Sequence, residues 1–247
     1  MEQFTYDTTY QYFVENKKEF ILPINEVPTG RDIIGLLNSA SVTMTFYDGE
    51  VDGLTYNMED LQFMQNNPHH LEGSVANHNA LGFYVLRFEG SDLSAQEYEI
   101  LERAMFWSDL GKRATAKPHK SKTWDDGTEI TTAHGHAKKS VEILDEAVSK
   151  LDAPPWWYEP VRWLVAEHMN AHNLEANKEK TVVPDFLAPQ IEGLEPWERP
   201  AWNDLEKPHG DSKGFGKSEY NWINRNHKLL IIKQKLDEIG RISDLSF

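Results

Sequence analysis

Three polar side chains fall where the hydrophobic pattern calls for core. His78 shares a helical stripe with Val75, Gly82 and Val85, and His168 shares one with Val161, Leu164, Val165 and His172. Asp109 follows Met105 by one turn at the end of an apolar helix. Burying such groups unpaired costs roughly 2–7 kcal/mol when neutral and more when charged, so each needs a partner. A single histidine on an apolar face is ordinarily satisfied by a hydrogen bond within the core. Several on separate helices, each near an acidic residue, point to a shared metal ion. The chain has 10 histidines and no cysteine, which excludes disulfides, zinc fingers, iron–sulfur clusters and thiol nucleophiles within it. Imidazole and carboxylate together suit Mn, Fe, Co, Ni or Zn.

The elements that must carry these residues read as mainly α. Pro28-Thr29-Gly30 precedes a short helix, RDIIGLLNSA, with Thr29 or Gly30 as its N-cap. Residues 41–56 are β-branched and aromatic around Asp48-Gly49, the pattern of a small hairpin or a loop. A helix is expected from Gly73 to about Phe88. Ser94 and Glu97 form a capping box ahead of the next helix, AQEYEILERAMFWSDLGK. Residues 113–132 are polar and read as a long loop. Two more helices follow, from about His134 to Leu151 and from about Trp156 to His172, separated at Pro154-Pro155. Five prolines mark 181–213 as irregular, and a final helix runs from about Ser218 to Ile239.

Charge limits the partners. Of 247 residues, 40 are acidic and 25 basic, a net charge of −15. The excess lies in the first hundred residues, where 16 acidic side chains face 4 basic ones. Such a chain is a poor candidate for extended duplex DNA binding, which needs clustered Lys and Arg. The exception is the run Lys112, Arg113, Lys117, Lys120 and Lys122, which has no acidic residue within it. It reads either as a solvated loop or as a phosphate-attracting lip beside a site. The N-terminus lacks a secretory pattern and no apolar run could span a bilayer, so no membrane partner and a cytoplasmic location are expected.

The candidate residues sit in segments that resemble a known family. Gln65 to His78, with His69-His70-Leu71-Glu72-Gly73 at its centre, looks like the opening of an HD phosphohydrolase domain. The likeness is closest to the version found in bacterial tRNA nucleotidyltransferases and related RNA-repair proteins. Phe106-Trp107-Ser108-Asp109-Leu110-Gly111-Lys112 resembles the family's Leu-His-Asp-Leu-Gly-Lys signature, with serine in place of its histidine. His134-Gly135-His136 resembles its next helix start, Val161 to His168 the helix after that, and Gly210-Asp211-Ser212-Lys213-Gly214, more weakly, its closing acidic motif. The segments occur in family order and span roughly residues 28–215. The implied organisation is an N-terminal extension (1–27), a single HD-like helical domain (28–215) and a C-terminal helix packed on it (216–247).

What the resemblance implies is specific to residues. The metal ligands would be His78, Asp109, His136, His168 and Asp211. Glu72, Ser108 and His134 would support them from behind, with Glu72 holding a histidine in its tautomer. Asp109 and Lys112 would be catalytic, and Lys112, Arg113, Lys117 and Lys120 would meet the substrate. The implied reaction is hydrolysis of a phosphate ester on a nucleotide or an RNA end, such as a 2′,3′-cyclic phosphate or a 2′-phosphate. Serine is a poor ligand for a divalent transition metal, so one ion (Mn, Ni, Co, Fe or Zn) is expected rather than two. The same departure leaves open a catalytically impaired relative that binds a nucleotide or a protein partner. A di-iron oxidative relative would need the full ligand set. No glycine-serine strand with paired aspartates precedes the domain, so nucleotide addition is not expected. Gly214-Phe215-Gly216-Lys217-Ser218 lacks the spacing of a phosphate loop.

Overall fold

The computed structural model describes residues 30–90 and 93–171, together with 229–230, 232–238 and 240–241. The expected extension (1–27), the proline-rich segment (181–213) and Asp211 lie outside the described residues.

The described chain is mainly helical. Helix α1 (Gly30–Ala40) leads into three two-residue strands, β1 (Phe46–Tyr47), β2 (Glu50–Val51) and β3 (Leu54–Thr55). These pair antiparallel in order, Phe46 opposite Val51 and Val51 opposite Leu54. A meander therefore stands where a single hairpin was one expectation, its second turn at Asp52-Gly53. Helix α2 (Met58–Gln62) follows, then α3 (Val75–Glu89), α4 (Ala95–Ser108) and the short α5 (Lys112–Thr115). Strands β4 (Lys117–Thr123) and β5 (Glu129–Thr132) form a two-stranded antiparallel sheet, and α6 (His136–Val148) and α7 (Tyr158–Ala171) complete the main body.

Helices α3 and α4 are central. Every residue from Val75 to Phe83 and from Ile100 to Leu110 is buried. Their starts are as expected: the Ser74 side chain accepts from Asn77 N, and Ser94 with Glu97 makes the full capping box. Helices wrapped on all sides bury polar residues as well, and these find partners. Glu102 accepts from the backbone N–H groups of Val42 (2.8 Å) and Thr43 (3.0 Å), pinning the entry to the meander. Arg103 donates to Asp52 at 2.7 Å and lies over the Trp157 ring. Phe46 and Trp107 both pack on Phe106, with ring centroids 5.2 Å apart in each case.

The segment 113–132 is a hairpin rather than the expected long loop. Strand β4 is largely exposed and carries no apolar alternation, and β5 buries only Ile130, so hydrogen bonds do most to define it. Thr131 N donates to the Asn66 carbonyl (2.7 Å), the Asn67 side chain donates to the Thr131 carbonyl (2.9 Å), and Trp124 Nε1 donates to Asn66 Oδ1 (2.7 Å). These bonds fasten the hairpin to the turn just before His69 and His70. At the other end of the chain, Leu229, Leu230 and Leu236 join the same hydrophobic core. The C-terminal helical segment is thereby built into the domain. Among the described residues, no helix is long and apolar enough to cross a membrane.

Candidate metal centre

Four of the expected ligands, His78, Asp109, His136 and His168, converge from four helices. Asp109 is the C-cap of α4, His136 the first residue of α6, His78 lies in the first turn of α3 and His168 late in α7. All four are buried.

Local sequence sets this convergence. Gly135 has φ of 85°, a left-handed conformation that glycine adopts without penalty, and it turns the chain so that α6 begins with His136 facing inward. Gly111 lets α6 come close to the end of α4. A Cβ at position 111 would lie 2.4 Å from the His136 carbonyl oxygen and 2.6 Å from Ser140 N. The junction is closed by Gly111 N donating to Ser140 Oγ (2.8 Å) and Ser140 Oγ donating to the Ser108 carbonyl (2.6 Å).

Two carboxylate–histidine groups share Asp109. In the first, Asp109 Oδ1 lies 3.3 Å from His136 Nε2 and 3.9 Å from His168 Nε2, and the two Nε2 atoms are 2.9 Å apart. Each ring places Nδ1 2.7 Å from a backbone carbonyl, that of Ala133 for His136 and that of Val165 for His168. A carbonyl only accepts, so both Nδ1 atoms carry a proton and the two Nε2 atoms face one another. Burial, with the charge of Lys233 behind it, holds His168 well below the usual histidine range, so it stays neutral. Either a proton shared by the two nitrogens or a bound cation would satisfy this contact. Two imidazoles at right angles around an ion at ~2.1 Å would stand about 3.0 Å apart, close to the spacing found. The donor set fits a divalent transition metal.

In the second group, His78 Nε2 lies 2.9 Å from Asp237 Oδ1 and 3.4 Å from Asp109 Oδ2. On its other side His78 Nδ1 donates to Glu72 Oε1 at 2.9 Å, and His70 Nδ1 meets the same oxygen at 2.8 Å. Burial pushes His78 down, but its bonds to Asp237 and Glu72 outweigh this and raise it to about 9. Burial also works against ionisation of Glu72, which its two histidine partners nonetheless hold down to about 2. For Asp109 the penalty of burial is overcome by Lys112, with Nζ at 2.9 Å, and by His136 and His78, so its carboxylate lies well below the usual range. The donor atoms of Asp109, His136 and His168, and likewise those of His78, Asp109 and Asp237, all lie within 4.8 Å of one another. These buried groups could hold a metal ion.

A cleft of about 450 Å³ opens onto the cluster, lined by Asp109, Lys112, His136, His168, Asp237 and Arg241 among others. Lys112 is buried beneath it, bonded to Gln65 Oε1 and 3.3 Å from His70 Nε2.

Other expected site residues stand elsewhere. Arg113 turns away to pair with Glu59 and Asp60. Lys117 and Lys120 are on the exposed hairpin and do not line the cleft. His134 is exposed in the turn before α6. Ser108 is buried, with Oγ bonded back to the Ala104 carbonyl at 2.5 Å. Glu72 stands behind His78 as expected. The carboxylate from the end of the chain is Asp237, which the sequence reading passed over; His70, Gln65, Lys233 and Arg241 were also missed. One signal for Asp237 was available, its helical spacing from Leu230, Lys233 and Gly240 on a face that also holds Leu229 and Leu236. Comparisons with protein families, characterised proteins and solved structures found no match.

Proposed function

We propose that the chain is an HD-type, metal-dependent phosphohydrolase that acts on a phosphate ester of a nucleotide or an RNA end, such as a 2′,3′-cyclic phosphate or a 2′-phosphate. The observation that carries this reading is the convergence of His136 and His168, with Nε2 atoms 2.9 Å apart, beside Asp109 Oδ1. Asp109, His136 and His168 would hold the ion. Bound there, a divalent ion supplies Lewis acidity, polarising a phosphoryl oxygen and making water a stronger acid.

The chain's own residues supply the rest. Lys112 is held by Gln65 and Asp109 at the wall of the cleft, where its ammonium would offset charge developing on a phosphoryl group. Arg241 lines the same cleft and adds a second cation for an anionic substrate. Glu72 fixes the His78 and His70 rings through their Nδ1 atoms, so those rings keep one orientation as the substrate enters. The order of the resembling segments from Gln65 to His168 supports the assignment to phosphate chemistry.

The test is a screen of nucleotides and cyclic phosphates against the purified protein loaded with Mn, Ni, Co, Fe or Zn in turn. Turnover of one phosphate class by the loaded wild type, lost in Asp109→Ala, is expected. Metal binding with no turnover of any phosphate ester would favour the other reading that Ser108 raises, a relative that binds its ligand without hydrolysing it.

A further inference from the structure

The two halves of the cluster differ in what already satisfies their oxygens. In the half formed by Asp109 Oδ1, His136 and His168, the donor atoms contact one another. In the other half, both carboxylate oxygens are held by ammonium groups. Lys112 Nζ lies 2.9 Å from Asp109 Oδ2, and Lys233 Nζ lies 3.5 Å from Asp237 Oδ1.

Lys233 is the unusual member. It has 0% exposure, among the largest side chains buried completely in the chain. It reaches the cluster from the C-terminal helical segment, one turn before Asp237, between buried Leu230 and Leu236. Packing alone would be met by methionine, which has the same reach without a charge to desolvate. A fully buried ammonium calls for an electrostatic reason, and the Asp237 carboxylate beside it supplies one.

We propose that Lys233, together with Lys112, takes the place of a second metal ion, so that the centre holds one divalent ion, on Asp109, His136 and His168. This rests on the reading of the cluster as a metal centre. A dication bound by His78 Nε2, Asp109 Oδ2 and Asp237 Oδ1 would have to bond the same two oxygens that the lysines hold. Like charges at that separation, out of bulk water, repel strongly. The lysines also add positive charge beside two buried carboxylates that otherwise share His78. Ser108, where the resembling family has its histidine, accords with this arrangement, because a half-site filled by ammonium needs no further ligand.

The experiment is a Mn²⁺ titration of the full chain, with bound ions counted per chain by elemental analysis and their coupling read by electron paramagnetic resonance. Wild type should bind one Mn²⁺ with the spectrum of an isolated ion. Lys233→Met should bind two, with the spectrum of a spin-coupled pair bridged by Asp109, and Lys233→Arg should remain at one. Lys233→Gln provides a second neutral variant if Lys233→Met does not fold. Two ions in wild type, or one ion in a folded neutral variant at saturating Mn²⁺, would overturn the role given to Lys233 and leave the metal centre standing. No bound ion in wild type would overturn the metal centre itself, and this proposal with it.

Discussion

Asp109→Asn keeps the shape of the side chain and removes its charge, which separates the structural share of Asp109 from its share in metal binding. Without metal, the loss falls on Lys112, buried 2.9 Å away, and on His136 at 3.3 Å. Removing one partner of a buried ion pair costs about 3–5 kcal/mol. Gln65 still holds Lys112 and the asparagine oxygen can still accept, so the lower end, about 3 kcal/mol, is expected. With metal present, the wild type gains a further RT ln(1 + [L]/Kd), about 2.7 kcal/mol at one hundred times Kd. At about 2–4 °C per kcal/mol for a domain of this size, that raises its melting temperature by roughly 5–10 °C. The variant should gain less than about 2 °C over the same addition. Thermal melts of both proteins, chelator-treated and Mn²⁺-loaded, provide the comparison. An equal metal-induced rise in Asp109→Asn would show that Asp109 is no ligand, and the account of the cluster would be wrong.

Gly111→Ala would force backbone apart at the His136 carbonyl and Ser140 N; a loss of about 2–4 kcal/mol in denaturant melts and weaker metal retention are expected, and unchanged retention would separate the α4–α6 contact from the site. Glu102→Ala should cost about 2–3 kcal/mol by leaving the Val42 and Thr43 amides unmet, yet leave the metal count unchanged; a lost ion would show that the meander positions the site. Ser108→His should leave the count at one ion, because Lys112 and Lys233 still hold the oxygens of the second half; two ions would show that ligand number, not charge, sets the limit. Burial and the neighbouring Lys112 lower His70 to about 4, and His168 is lowered as well. Both stay neutral in the fold and take up protons once unfolded, so metal-free protein should lose stability as pH falls from about 6.5 toward 4. A denaturant midpoint that rises over that interval would contradict this.

The parts of the fold and site that could be read from the chain were those with a local signature. Ser94 and Glu97 announce the start of α4 within four residues, and His78 and His168 stand out because apolar neighbours surround them at helical spacing. The β4–β5 hairpin has no such signature. Lys117 to Thr123 alternates nothing, and the strand exists because Asn66 and Asn67, some sixty residues away in sequence, bond its partner strand. Asp237 was hidden for a related reason. Beside Lys233 at a spacing of four, it reads as one more exposed helical ion pair, and only tertiary packing turns both residues inward. The basic run from Lys112 to Lys122 divides in the same way: Lys112 is buried at the centre, while Arg113 turns to Glu59 and Asp60, whose proximity no short-range pattern reveals.

The central claim is that His136 and His168 ligate one divalent ion beside Asp109. Pulsed electron paramagnetic resonance on the Mn²⁺-loaded protein counts the imidazole nitrogens bonded to the ion. Two directly coupled histidine nitrogens are predicted in wild type, falling to one in His168→Gln. A Mn²⁺ spectrum with no directly bound histidine nitrogen would contradict the account.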